Sequence, residues 1–144
     1  MKNTDKTDKY FPHKELSYQV IGVIYAVRNT YGSGQKELVY QNALAEELER
    51  QNISFKREVT IKITSPYTGK TMGNYKLDFV IDGKIILEVK AVKFTPTKME
   101  QQLYSYLRST SYEVGYLVNF GSTRLYLKRV ILTNNRKTII VKSV

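Results

Sequence analysis

Near the middle of this 144-residue chain, Asp78 and Glu88 stand ten positions apart, and Lys90 follows Glu88 at the second position. Two carboxylates brought close together can share a hard divalent cation. An ammonium beside them can meet a phosphate oxygen or an attacking water, and oppose the charge that builds on phosphorus. The sequence has no cysteine and one histidine, so thiolate sites are excluded and oxygen donors remain, which suit Mg²⁺ or Mn²⁺ better than zinc. The same residue types also occur on a solvated strand face with incidental ion pairs, and spacing alone leaves both readings open.

Two strands must position these groups, about Gly73 to Ile81 and Lys84 to Val92, joined at Asp82-Gly83. Leu77, Phe79, Ile81, Ile85, Leu87, Val89 and Ala91 are all odd-numbered and apolar, which predicts one buried face. Lys76, Asp78, Val80, Ile86, Glu88 and Lys90 then share the other. Both apolar rows reach one face only if paired positions have an even sum, which requires a loop of odd length. The expected loop is Ile81-Asp82-Gly83 with glycine in the left-handed position, placing Asp78 near Ile86 and Glu88 one diagonal step away.

The remaining elements follow from periodicity. Leu16, Val20, Val23, Ile24 and Val27 recur at helical spacing from Lys14 to about Asn29, and a Gly-containing break at Thr30 to Gly34 ends that helix. A second helix is expected from Gln35 to Gln51. Alternation from Ile53 through Phe55, Val59, Ile61 and Ile63 predicts a long strand with a break near Arg57, followed by a turn at Ser65 to Gly69. Thr97 and Glu100 match a capping box opening a third helix to about Ser109, with Met99, Leu103, Tyr106 and Leu107 as its apolar stripe. Strands at Glu113 to Asn119 and Arg124 to Leu132 come next, and a short one at Thr138 to Val141 closes the chain. The order predicts an α/β fold: two N-terminal helices, then a mixed sheet of about five strands with a crossover helix. Residues 1–13 read as a flexible tail and 14–144 as one domain.

Composition narrows the partners. With 23 Lys and Arg against 13 Asp and Glu, the formal charge is +10, which favours a polyanion such as nucleic acid. No apolar run is long enough to span a membrane, and the polar N-terminus lacks a secretory core, so the expectation is a cytoplasmic protein. No Ser/His/Asp arrangement, phosphate-cradling glycine loop or zinc spacing is present. His13, beside Pro12 in a polar segment, reads as a surface histidine.

The stretch from Gly34 through Glu37 to Tyr40 resembles the signature of the GxxExxY proteins, a branch of the PD-(D/E)XK nuclease superfamily. The resemblance continues through Leu77-Asp78-Phe79, Leu87-Glu88-Val89-Lys90-Ala91, Gln102-Leu103 with Tyr106, and Asn119-Phe120-Gly121, covering about Lys14 to Val130. It implies a restriction-endonuclease-like core, Asp78 and Glu88 as ligands of Mg²⁺ or Mn²⁺, Lys90 as the catalytic lysine, and Glu37 completing the acidic cluster. Without the resemblance, Glu37 is an ordinary first-turn glutamate, favourable at a helix N-terminus. Tyr40, one turn on, could orient Glu37 or simply pack. Gln102 and Tyr106 resemble the Q-x-x-x-Y element of related nucleases and could contact substrate or lysine; equally, Tyr106 fits core and Gln102 fits solvent. Lys76 stands where arginine is usual, so a bidentate contact becomes a point contact.

The function expected is metal-dependent hydrolysis of phosphodiester bonds in DNA or RNA, DNA the more so. The alternative is a catalytically silent nucleic-acid-binding or protein-interaction module on the same fold. Lys76, Lys93, Lys98, Arg108 and Arg124 are the candidate nucleic-acid contacts. A domain this small has little room for its own recognition module, so a homodimer or a protein partner is a further expectation.

Overall fold

The computed structural model describes residues 11–95 and 97–137. The expectations for residues 1–10 and for a strand at Thr138–Val141 fall outside them. Helix α1 (Lys14–Tyr31) buries Val20, Val23, Ile24 and Val27, the predicted stripe, together with Ser17. It stops where Gly32 adopts φ 71°, and the Gly32 amide closes the last turn on the Arg28 carbonyl at 2.9 Å. His13, itself left-handed at φ 57°, flanks its start. Helix α2 (Glu37–Arg50) returns alongside, burying Tyr40, Ala43, Leu44 and Leu48. Just before α1, the Phe11 ring lies 4.3 Å from the Arg129 guanidinium, so this part of the expected tail is packed.

Five strands follow: β1 (Phe55–Thr64), β2 (Thr71–Ile81), β3 (Ile85–Lys90), then β4 (Val114–Asn119) and β5 (Tyr126–Ile131) after helix α3 (Thr97–Arg108). They form one sheet in the order β1-β2-β3-β4-β5. Among the described residues β3 and β4 pair in parallel, as a crossover helix between them requires, and the other neighbours pair antiparallel. Helices α1 and α2 cover one face of the sheet over Phe79, Ile81, Ile85, Leu87 and Val89. Helix α3 covers the other, with Leu103, Tyr106 and Leu107 over Val80, Ile86 and Leu117. The α/β class, the mixed sheet and the crossover are therefore as expected.

The parity reading needs two corrections. Val80 and Ile86 do not lie on a solvated face but in this second core, so both sides of the central strands are buried. Leu77 leaves the odd-numbered row and joins the α3 side, with Val59 and Ile61 packed on the same cluster. The cause is a break in the pleat. Arg57 pairs with Phe79 and Val59 with Leu77, but Glu58 and Asp78 between them are unpaired, and Glu58 is left-handed at φ 53°. Beyond the break, odd residues change sides. The strand interruption expected near Arg57 falls one residue later.

The hairpin loop has three residues, as the even-sum argument requires, but it is Asp82-Gly83-Lys84 rather than Ile81-Asp82-Gly83. Ile81 pairs with Ile85 and Phe79 with Leu87. Ile81 and Ile85 are both fully buried, and drawing Ile81 into the loop would expose one of them. Asp82 tolerates the left-handed region at φ 52°, and its carboxylate accepts from Ser54 Oγ at 3.0 Å. This register puts Asp78 level with Glu88, not with Ile86.

Candidate active site

Pairing between β2 and β3 ends at Phe79 and Leu87, although β3 continues to Lys90 along β4. The two strands part there, and side chains take the place of the ladder. The Asp78 amide donates to Glu88 Oε2 at 2.8 Å, and the Val89 amide donates to Asp78 Oδ2 at 2.8 Å. This reciprocal lock fixes both carboxylates with one oxygen each. Among the described residues the other oxygen of each carboxylate has no hydrogen-bond donor recorded.

The electrostatics follow from that geometry. Glu88 is 6% exposed, and burial, with the Asp78 charge second, pushes its carboxyl up to about 8. Asp78 is raised too, by burial above all, against the Val89 amide and the Lys90 charge. A buried carboxylate beside a half-buried one resists double ionisation, so the pair holds a proton that a cation would replace. Lys90, half-buried, is the opposing charge felt by both.

Glu37, half-buried at the start of α2, is raised by burial and senses both Lys90 and Asp78. Its own hydrogen bond comes from Gln41 Nε2 at 3.3 Å. Among the described residues no three acidic or histidine side chains converge as a ligand group. Tyr106 reaches the acid pair from α3: it is buried, and burial followed by the Glu88 and Asp78 charges pushes its phenol up to about 12. Gln102, one turn earlier, is exposed. Tyr40 packs rather than orients Glu37. Its ring stacks on Phe120 at 4.3 Å, and its hydroxyl donates to the Gly32 carbonyl at 2.7 Å while accepting the Gln35 amide.

The basic candidates divide. Lys93 and Arg124 line one groove just past the ends of β3 and β4. Arg108 lines a different one with Tyr104 and Val130. Lys98 is exposed on the first turn of α3, and Lys76 lies 3.6 Å from Glu58, partly neutralised.

Three positioning residues are given no role by the sequence reading, although Asn119 and Gly121 lie in its matched Asn119-Phe120-Gly121 stretch. Asn119 is wholly buried: its Oδ1 accepts the Val92 and Gly121 amides, and its Nδ2 donates to Thr95 Oγ1 at 2.7 Å. Gly121 sits so close to Val92 that a Cβ there would stand 2.5 Å from its amide nitrogen and carbonyl oxygen. Arg28 donates to the carbonyls of Phe120, Ser122 and Thr123. With the Phe120 amide on the Lys90 carbonyl at 2.8 Å, these contacts fix the chain on which Lys90 sits. A polar Asn ending an apolar strand before Phe-Gly was the available signal; its partner Val92, 27 residues earlier, was not readable.

The donor set suits a hard divalent cation: two adjacent carboxylates, each with an oxygen to spare, whose proton affinity is raised chiefly by burial and, at Glu88, next by the Asp78 charge. No helix among the described residues is long and apolar enough to cross a membrane. No curated protein matches the chain. SSO0001, known from a crystal structure, is 24% identical over 71% of this chain and 53% of its own, with a TM-score of 0.46, so the chain spans about half of that protein. A family model described as the PD-(D/E)XK nuclease superfamily, whose members act on nucleic acid and generally use divalent metal ions, matches residues 14–130, and the chain belongs to that superfamily.

Proposed function

We propose that the protein is a Mg²⁺- or Mn²⁺-dependent phosphodiesterase of the GxxExxY branch, acting on DNA in preference to RNA. The observation that carries this reading is the parting of β2 and β3 at Asp78 and Glu88, where each carboxylate is held by the other strand's amide. Fixed in this way, the pair loses little rotamer freedom on engaging a ligand. Asp78 and Glu88 would hold the cation, with Glu37 completing its surroundings. The cation would supply positive charge against the phosphate. Lys90 donates to a nonbridging oxygen or orients the attacking water, and Tyr106, on α3 and within the field of both acids, donates its phenolic hydrogen bond toward the acid pair or the substrate. Lys76, Lys93, Lys98, Arg108 and Arg124 would contact the backbone.

A second reading, a catalytically silent binding module, is favoured by one feature: among the described residues the acids do not form a three-ligand group. The test is incubation with plasmid, single-stranded DNA and RNA in Mg²⁺ or Mn²⁺, beside Glu88→Ala and Lys90→Ala. Cleavage lost in both variants supports the nuclease; cleavage retained in both places the activity elsewhere. Absence of cleavage by the wild type, with nucleic acid still bound, supports the silent module. Light scattering of the same samples with and without DNA tests whether a second copy completes the substrate surface.

A further inference from the structure

Beyond the ends of β3 and β4, Lys93, Phe94 and Thr95 face Ser122, Thr123, Arg124 and Tyr126 across an open groove of about 490 Å³. It lies past the C-terminal ends of two parallel strands, the usual position of a ligand in an α/β sheet. Phe94 is 77% exposed, and the Lys93 ammonium stands 5.8 Å from its ring centre. A lone exposed apolar residue is ordinary. This one is different because its support is built. The segment carrying it is tied to Asn119 on both sides, through the Val92 amide and the Thr95 hydroxyl. The facing wall is tied down by Arg28 through the Ser122 and Thr123 carbonyls. The groove is thus lined by an exposed aromatic ring and two cations, Phe94 standing four residues along from Lys90, in a chain of net charge +10.

A ring held in the open beside cations matches the chemistry of an unpaired nucleotide, whose base stacks while its phosphate takes the charge. A base inside a duplex has both faces covered by its neighbours and offers no such surface. We propose that this groove holds one unpaired nucleotide, its base on Phe94 and its phosphate between Lys93 and Arg124, so that the preferred substrate is single-stranded or locally unpaired nucleic acid. The proposal rests on the nuclease reading for its substrate class, and narrows it.

The test measures binding without cleavage. Full-length protein in EDTA is titrated against labelled single strands of about a dozen nucleotides, DNA in one arm and RNA in another, and against the duplex of the same DNA. The wild type binds a single strand more tightly than the duplex. Phe94→Ala and Phe94→Leu weaken single-strand binding by about 5- to 140-fold, leave the duplex unchanged, and Phe94→Trp restores the single strand. The arm showing the larger loss identifies the sugar. Equal losses on strand and duplex, no loss on either strand, or no wild-type preference for the unpaired form would overturn the proposal. Cleavage does not enter this readout. A nuclease assay that fails while the Phe94 effect holds counts against the proposed activity alone, and the converse counts against the groove alone.

Discussion

Replacing Glu88 with glutamine tests the acid pair without touching a substrate. In the unfolded chain Glu88 ionises near 4.5, whereas in the folded protein burial and the Asp78 charge hold its proton to about 8. The folded state therefore binds more protons than the unfolded state across that interval. A group with a raised folded pKa contributes stability that is fully present below the unfolded value and is lost as pH rises through the folded one. The interval sets a ceiling of about 5 kcal/mol, and sharing the proton with Asp78 lowers it, so a loss of about 2 to 4 kcal/mol between pH 5 and pH 8.5 is expected without divalent cation. The groups facing Glu88 are Asp78, Lys90, Glu37 and Tyr106, and Asp78 and Glu37, both raised chiefly by burial, add a smaller slope of the same sign.

Glutamine keeps the side chain's length and an oxygen to accept the Asp78 amide, but it has no proton to lose. Urea unfolding in EDTA across that pH range should show the wild type weakening steeply and Glu88→Gln weakening little, with the variant the more stable of the two at the alkaline end. Millimolar Mg²⁺ at the alkaline end should recover much of the wild-type loss and little of the variant's. A wild-type stability that is flat or rising over the interval, or an equal slope in both proteins, would refute the account of a buried, mutually repelling pair.

Three further outcomes are expected. Mg²⁺ or Mn²⁺ well above its dissociation constant should raise the melting temperature, by about 3 kcal/mol of stabilisation at a hundredfold excess, and Asp78→Asn should blunt that response; equal melting curves with and without cation count against a metal site. Gly121→Ala should cost about 1 to 3 kcal/mol in denaturant unfolding, because the new methyl meets Val92 backbone rather than a yielding side chain. Arg28→Met should cost about 2 kcal/mol and speed hydrogen exchange at residues 120–124, because three carbonyls lose a charged donor; unchanged exchange there would show that the loop holds itself.

The residues that carry the proposed chemistry were legible, and the way the fold presents them was not. Asp78, Glu88 and Lys90 stood out because a short hairpin must bring positions ten apart back together, and an even pairing sum followed from the apolar rows. The face assignments failed because alternation presumes an unbroken pleat and one buried side. A crossover helix buries the second side, so Val80 and Ile86 mean core rather than chance apolar residues among charges. Tyr40 likewise turned on its partner: its stacking on Phe120, eighty residues away, has no local signature.

The misread parity and the site have one cause. Alternation gives Asp78 a definite face only if its backbone pairs on both sides, and it pairs on neither: Glu58 opposite it is left-handed, and β3 has already turned away. The amide left free by that break is the one that holds Glu88, and the amide left free on β3 holds Asp78. Had the strands continued in register, both amides would have been spent in the ladder and the carboxylates would have had no fixed orientation. The position where sequence periodicity fails is thus the position where the sheet stops pairing and starts holding side chains, as expected when local rules yield at a functional site.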